Sequence, residues 1–445
     1  LKTVFKNTTS YRKPNSKSKS LYSQALECFP GGNTRHTLIF SPYPVYASRG
    51  KGCRVVDVDG EERIDFINNY TSLILGHSHP AIVEAVKNQL EKGTCFGMPT
   101  ESEIRLASLL IKRVPYIKKV RFCNSGSEAV MLAIKASRAY TGKYKIAKIE
   151  GAYHGLYDYA QVSEAPSHQT WGDKNCPSSV VEKSATPSVK NDVLVLPWNN
   201  KQACENLLEK NKNELAAVLI DTLPANFGFI PPQDGFLESI WEVAKTYGIL
   251  FISDEVIGFR LNLKGACDEF GIKPDLVTLG KIIGGGFPIG ALGGKDEVME
   301  VFDHTKGIKV HHGGSFNANP VSMVAGYATL NELGPGEYER LNKMGDELRI
   351  KLNDFFLTRK ISAQATGKGS LFCIHLTREK LLDYRSFVNS RVNRALLDKF
   401  FHELLGNGIL LDSTRGIGCL STPMGNEELE FFLKALEISF KRLNL

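Results

Sequence analysis

What the sequence lacks narrows the field first. No apolar run is long enough to cross a membrane, and no apolar core follows the basic start as it does in a secretory signal. The nine cysteines show no Cys-x-x-Cys spacing. Scattered and odd in number, they favour free thiols in a reducing compartment, and so a cytoplasmic location, over disulfides or zinc. There are no internal repeats. The first twenty residues contain no acid but carry Lys2, Lys6, Arg12, Lys13, Lys17 and Lys19. Over residues 1–20 this reads as a flexible, solvated leader, and the net charge of +7 on 445 residues is too modest for a nucleic-acid footprint. No nucleic acid or membrane partner is expected. The chain begins with Leu1 and not Met, which suits a processed product or a module excised from a longer polypeptide.

What is present is an ordinary globular composition and a regular alternation of strand and helix. Strands are expected at Lys119–Cys123, Lys145–Ile149, Val193–Leu196, Ala216–Ile220, Ile249–Ser253 and Leu276–Leu279, with helices between most of them. This pattern predicts an α/β fold with a mainly parallel sheet flanked by helices, plus a smaller α+β domain. The organisation expected is a leader (1–20), an N-terminal segment of the small domain (21–79), a large domain (80–322) and a C-terminal small domain (323–445). One stretch, Ser163 to Asn191, is rich in Ser, Pro and Lys and has no periodicity, so it reads as a long functional or disordered loop.

Ligands of such sheets bind beyond the carboxyl ends of the strands, which selects a short set of residues. Lys281 ends the apolar run Leu276 to Gly280 and precedes Gly284, Gly285 and Gly286. It is either an amine poised for Schiff-base chemistry or a strand-end lysine whose head reaches water. Asp254 ends another apolar strand. It is either the partner of a protonated ring nitrogen or a structural aspartate paired with an arginine such as Arg260. Asn124-Ser-Gly-Ser-Glu128 joins a strand to a helix, as an anion site or as a simply capped helix. Tyr153, between Gly151 and Gly155, is either a ring-stacking residue or a core tyrosine. His77 and His79 have metal-like spacing but no Cys or acidic partner nearby in sequence, and no metal site is expected.

In this order on strand ends, the residues resemble the class III, fold-type I pyridoxal-phosphate aminotransferases, from about Pro30 to the C-terminus. The matching words are Asp57-Val-Asp-Gly60, Gly76-His-Ser-His-Pro80, Asn124-Ser-Gly-Ser-Glu-Ala129, Gly151-Ala-Tyr-His-Gly155, Asp254-Glu-Val256, Thr278-Leu-Gly-Lys-Ile-Ile-Gly-Gly-Gly286 and Gly313-Gly-Ser-Phe-Asn-Ala-Asn-Pro320. The resemblance implies pyridoxal 5'-phosphate as cofactor, held as a Schiff base on Lys281. Asp254 would pair with the pyridine nitrogen, and Val256 and Tyr153 would sandwich the ring. Ser125, Gly126 and Ser127 would hold the phosphate, Asn226 would lie near the phenolic oxygen, and Ser315 would reach the phosphate of a second subunit. A homodimer with shared active sites follows from that last role.

Two family members compete. Pro30-Gly-Gly32 and the long 163–191 loop resemble glutamate-1-semialdehyde aminomutase. The spacing to Arg35, and Arg415-Gly416 where the mutase has a glutamate about at Gly416, resemble the β-amino-acid (β-phenylalanine-type) aminotransferases. The latter imply transfer from an amino-acid donor to a β-keto acid or β-ketoacyl thioester. Arg35 and Arg415 would take carboxylates with their two-pronged heads; the alternative for Arg415 is a surface arginine in a turn. A third variant is an aminotransferase module of a hybrid polyketide–peptide synthetase, whose partner would be an acyl carrier protein. One departure stands out: Asp221-Thr222 occupies the place of the family's usual Glu-Pro.

Overall fold

The computed structural model describes residues 15–391 and 393–444, so residues 1–14 of the expected leader lie outside it. The chain divides into two compact units. One comprises Leu1–His79, Leu341–Glu379 and Asn389–Leu445; the other comprises Pro80–Arg340 and Lys380–Val388.

The first helix of the described residues, Lys17–Cys28, is capped by the Ser16 hydroxyl, so the expected flexible leader (1–20) is helical from Lys17. Three antiparallel strands follow, β1 (Ala47–Lys51), β2 (Arg54–Asp57) and β3 (Glu62–Asp65). The expected Asp-x-Asp-Gly turn joins β2 to β3. Asp57 Oδ1 accepts the amides of Asp59 and Glu61, and Gly60 takes φ 85°, which glycine adopts at little cost.

The second unit is built on a seven-stranded sheet. Its strands are β4 (Lys119–Cys123), β5 (Lys145–Ile149), β8 (Val193–Leu196), β9 (Leu215–Ile220), β10 (Leu250–Asp254), β11 (Leu276–Gly280) and β12 (Gly290–Gly294); the short pair β6 (Gly172–Asp173) and β7 (Cys176–Pro177) lies apart from it. The order is β4-β12-β11-β10-β9-β5-β8, and β12 runs antiparallel to both its neighbours. β9 reads Leu-Ala-Ala-Val-Leu-Ile and is buried at every position, as a strand covered on both faces must be. β12, Gly-Ala-Leu-Gly-Gly, is not expected from the sequence because glycine is depleted in strands. Its glycines answer to close backbone approach. A Cβ on Gly290 would land on the Ser125 carbonyl, and one on Gly294 would meet Leu276 at 2.6 Å.

The rest of the first unit adds β13 (Gln364–Lys368), β14 (Leu371–His375), β15 (Ile409–Leu410) and β16 (Ile417–Cys419). β13, β14 and β16 form a three-stranded antiparallel sheet, and β15 pairs in parallel with β3.

Two features differ from expectation. The division between units falls after Arg340 and not at 322/323. Helix Pro320–Glu332 packs on helices Pro80–Leu90 and Glu101–Arg113 and on the turn Lys281–Gly284, and Gly326 sits directly on the Ile283 carbonyl. The stretch 163–191 also carries order: the β6–β7 ladder and a 3-10 turn at Pro187–Asp192. It is fastened by Arg385. That guanidinium holds Glu150 at 2.8 and 3.0 Å and donates to the carbonyls of Trp171, Gly172 and Asp173.

Candidate active site

The carboxyl ends of β9, β10 and β11 set three polar residues in a row. Ser253 pairs with Ile220 and Asp254 with Thr278, so the next pair along is Asp221 beside Asp254. In a parallel ladder paired residues face the same way, and all three side chains share one face. Asp254 is nearly fully buried. Its Oδ1 accepts the Val256 amide at 3.1 Å and the Thr278 hydroxyl at 3.0 Å, and its Oδ2 meets His154 Nδ1 at 2.7 Å. An ionised carboxylate has about four acceptor positions, so a further donor can still be accommodated.

His154 was not singled out from the sequence, although it stands inside the Gly151–Gly155 motif. Burial holds its pKa below the ordinary range, against the pull of Asp254. A neutral ring facing a carboxylate carries its proton on Nδ1, which leaves Nε2 buried with no hydrogen-bond partner among the described residues. Asp221 is also buried. Its pKa is pushed up to about 8, first by desolvation and then by the Asp254 charge, while the Leu223 amide and Lys281 pull it down. Two adjacent buried carboxyls cannot both ionise cheaply, and burial favours the proton on Asp221.

Lys281 follows the fully buried β11 and is itself half-buried. Its φ is 48°, a left-handed conformation that a side chain with a Cβ rarely takes. Its charge is felt at Asp221, which places it in the same cluster as the carboxylates.

At the end of β4, the Ser125 hydroxyl caps helix Gly126–Thr141 by accepting the Glu128 amide at 3.2 Å. The capping role weighed from the sequence is therefore present, and a capped helix N-terminus can also take an anion on its remaining first-turn N–H groups. The turn is closely packed by neighbouring side chains. A Cβ on Gly126 would meet Val256 at 3.0 Å, and one on Gly155 would strike Ser127 Oγ. Ser127 Oγ accepts the Leu156 amide. Tyr153 is 46% exposed, which sets aside the core-tyrosine alternative. Asn226 donates its amide hydrogens to the carbonyls of Gly151 at 2.9 Å and Glu164 at 3.1 Å, so it fastens the Tyr153 loop. Ser315 stands exposed on the loop before Pro320. That loop is tied back by Asn317, which accepts from Asn124 Nδ2 at 2.8 Å, a contact with no signal in the sequence.

The first unit holds the two substrate candidates. Arg35 Nη1 donates to Asn69 Oδ1 at 3.0 Å, and its guanidinium lies 5.9 Å from the Tyr70 ring centre. Asn68, Asn69, Tyr70 and Thr71 have φ of 48°, 48°, 55° and 73°. Four successive non-glycine residues form a left-handed turn, each at a cost of roughly 1–2 kcal/mol. Asp65 pins this turn, with Oδ1 accepting the amides of Ile67 and Asn68 and Oδ2 meeting His77 Nε2 at 2.7 Å. His77 is thus part of a His–Asp pair, and among the described residues no cluster suits a metal ion. Arg415 pairs with buried Asp412 through Nε at 3.2 Å. The charges of both Arg415 and Arg35 are felt at Tyr70, whose pKa burial raises to about 12 with a further push from Asp412. Gly416 has φ 77°, and a Cβ there would sit 2.7 Å from the Ile374 carbonyl, so backbone geometry by itself requires glycine.

The residues of the second unit fit pyridoxal phosphate: a buried carboxylate with acceptor capacity to spare, a crowded glycine-lined helix N-terminus and a strained lysine. Comparison with known proteins points the same way. The family model described as "Aminotransferase class-III" matches residues 40–420. The chain is similar to an omega-transaminase from Sphaerobacter thermophilus, at 48% identity and TM-score 0.93, covering 97% of this chain and 99% of that one. It is similar to a β-phenylalanine aminotransferase from Variovorax paradoxus, at 32% identity and TM-score 0.88, covering 97% and 96%. Among curated proteins it is similar to the glutamate-1-semialdehyde 2,1-aminomutase of Methanothermobacter thermautotrophicus, 39% identical over 423 residues, which are 95% of this chain and 98% of that one.

Proposed function

The chain belongs to the class III aminotransferases and is a pyridoxal-phosphate-dependent transaminase, and from that premise we propose that it moves an amino group onto or off a carbonyl carbon of a small, carboxylate-bearing substrate. The observation that carries the reading is the left-handed, half-buried Lys281 at the end of β11, in one electrostatic cluster with the Asp221–Asp254 pair.

When bound, the cofactor supplies an aldehyde that captures amines and a conjugated ring that accepts the electron pair left by a breaking C–H bond. Lys281 would hold it through its amine and would be the base for a proton on the substrate carbon. Asp254, steadied by His154, Thr278 and the Val256 amide, would hold a proton at the ring nitrogen. Ser125, Gly126 and Ser127 would take the phosphate, Val256 and Tyr153 would cover the ring, and Asn226, which fastens the Tyr153 loop, would lie near the phenolic oxygen. Ser315 serves a second subunit in a homodimer. Arg35 and Arg415 would take the carboxylates of substrate and amino donor.

Two finer readings rest on different relatives. The names of the curated relatives favour an intramolecular exchange on glutamate-1-semialdehyde, and on names this reading stands ahead. The 48% identity to an omega-transaminase and the likeness to a β-phenylalanine aminotransferase support transfer between two molecules that gives a β-amino product. Gly416 does not decide between them, since its φ explains it.

The test has two parts. The purified protein should show a visible absorption band that borohydride removes, with the cofactor trapped on Lys281 in a peptide map. Lys281→Ala should lower turnover by at least about 10²–10⁴-fold, the usual contribution of a general base. An adduct on another residue would refute the assignment. A substrate panel then separates the finer readings: glutamate-1-semialdehyde alone, glutamate with β-keto acids, and glutamate with carrier-bound β-ketoacyl thioesters. Isomerisation without an external acceptor selects the first reading, and turnover only with an acceptor selects the second.

A further inference from the structure

The left-handed turn at residues 68–71 places two side chains on Arg35. Asn69 Oδ1 accepts from Nη1 at 3.0 Å, and the Tyr70 ring lies 5.9 Å from the guanidinium carbon. The Tyr70 hydroxyl donates to the Thr37 carbonyl, two residues beyond Arg35, so the turn grips the segment by both backbone and side chain. The Arg35 amide is itself held by Asn33 Oδ1 at 2.9 Å. The turn is over-determined: besides the Asp65 contacts, Asn68 Nδ2 donates to the Cys419 carbonyl at 3.0 Å, and the Leu73 amide donates to the Asn68 carbonyl at 3.0 Å. Asp65 in turn is held by His77, whose ring packs where a Cβ on Gly50 would be. Sustained strain in a well-fastened turn marks a conformation kept for what it presents. What it presents here is an acceptor for a cation that is otherwise exposed. Arg35 and Asn69 line one cavity of about 590 Å³ in the first unit, together with Tyr70, Thr37 and His77. With Nη1 anchored on Asn69, the Nε–Nη2 edge of the fork remains for a carboxylate in the two-pronged geometry.

We propose that Asn69 is a positioning residue for the substrate carboxylate: it aims Arg35 and so sets the preference for carboxylate-bearing amines. The proposal rests on the reading of Arg35 as the carboxylate-binding residue, and Asp65–His77 and Tyr70 are the scaffold behind Asn69. Fixing a flexible arginine before the ligand arrives lowers the ordering cost of binding, so the benefit appears as affinity and not as a faster chemical step.

The test uses the holoenzyme and follows the change of its visible band with amine concentration, with no acceptor present. The probes are β-phenylalanine and 5-aminolevulinate, which carry a carboxylate, and 1-phenylpropylamine, which has a methyl group in place of the carboxylate of β-phenylalanine. Asn69→Gly keeps the left-handed turn while removing the acceptor. It should raise the half-saturating concentration for the reactive carboxylate amine about tenfold, the scale of one hydrogen bond to a charged group, and leave the limiting rate within about twofold. Asn69→Asp should raise it further, because the new carboxylate competes for Arg35; a residue with only a structural role would not show that order. Binding of 1-phenylpropylamine should not change in either variant. Arg35→Ala should exceed Asn69→Gly, at roughly a hundredfold. If Arg35→Ala shifts saturation and Asn69→Gly does not, this inference fails and the Arg35 reading stands. If Arg35→Ala shifts nothing, or the wild type reacts with neither carboxylate amine, the reading beneath it fails as well. Equal weakening for 1-phenylpropylamine would mark general disruption and overturn the proposal.

Discussion

Asp221 stands where the family usually has a glutamate, and its neighbours make it a proton store. It is buried beside Asp254, with Glu255 and Lys281 also acting on it. Its pKa of about 8 in the folded chain compares with about 4 for an unfolded aspartate. Between those values the folded state binds the extra proton, so the stabilisation is complete below about pH 4 and is lost as pH rises through 8. Melting of the cofactor-free protein should therefore fall by several degrees between pH 5 and 8, and Asp221→Asn should flatten that part of the profile. An unchanged profile would mean that Asp221 is ionised in the folded state. Lys148 acts in a different window. Its ammonium is fully buried on the carbonyls of Ala152 and Val162, and burial lowers its pKa to about 7. That contribution is complete above about pH 10.5 and is lost as pH falls through 7, so the Asp221 slope is best read at the acid end.

At the scale of elements, the 163–191 stretch shows how one side chain organises a segment without periodicity. Arg385 is the common partner of Glu150 and of three carbonyls, and its guanidinium lies 5.4 Å from the Trp171 ring centre. Removing it would strand Glu150, which is nearly fully buried. Arg385→Ala should destabilise the fold by about 3 kcal/mol, in line with broken buried pairs. Urea unfolding measures the loss, and limited proteolysis should cut first within 163–191. Cleavage unchanged from wild type would mean that the β6–β7 ladder holds the segment by itself. The composition of this stretch points to an irregular connection; its order and its anchor, more than two hundred residues away in sequence, are not legible because ion pairs leave no periodic trace. β12 was missed for a related reason: its glycines serve contacts with Ser125, Ile117 and Leu276 that only the assembled sheet creates.

At the scale of the molecule, the second unit exposes large apolar side chains: Met98 at 72%, Leu156 at 69% and Phe316 at 61%. Scattered exposed apolar residues are ordinary, but Phe316 adjoins Ser315, for which a role toward a second subunit is proposed above. Sedimentation should give twice the chain mass, and the melting temperature should rise with protein concentration. Phe316→Asp should shift the equilibrium toward monomer and weaken cofactor retention together. A monomer that keeps its cofactor would separate dimerisation from the site.

The sequence by itself determined the family, the cofactor and the order of strand ends on which the chemistry sits. Lysine, aspartate and the Ser-Gly-Ser turn announce themselves by charge or glycine beside apolar runs, and those are local signals. Only the tertiary structure decided which groups meet. The strand register sets Asp221 beside Asp254, a loop turns His154 onto the same carboxylate, and a strained turn puts Asn69 on Arg35. Each of these contacts joins residues far apart in the chain or depends on a backbone conformation that side-chain chemistry does not encode.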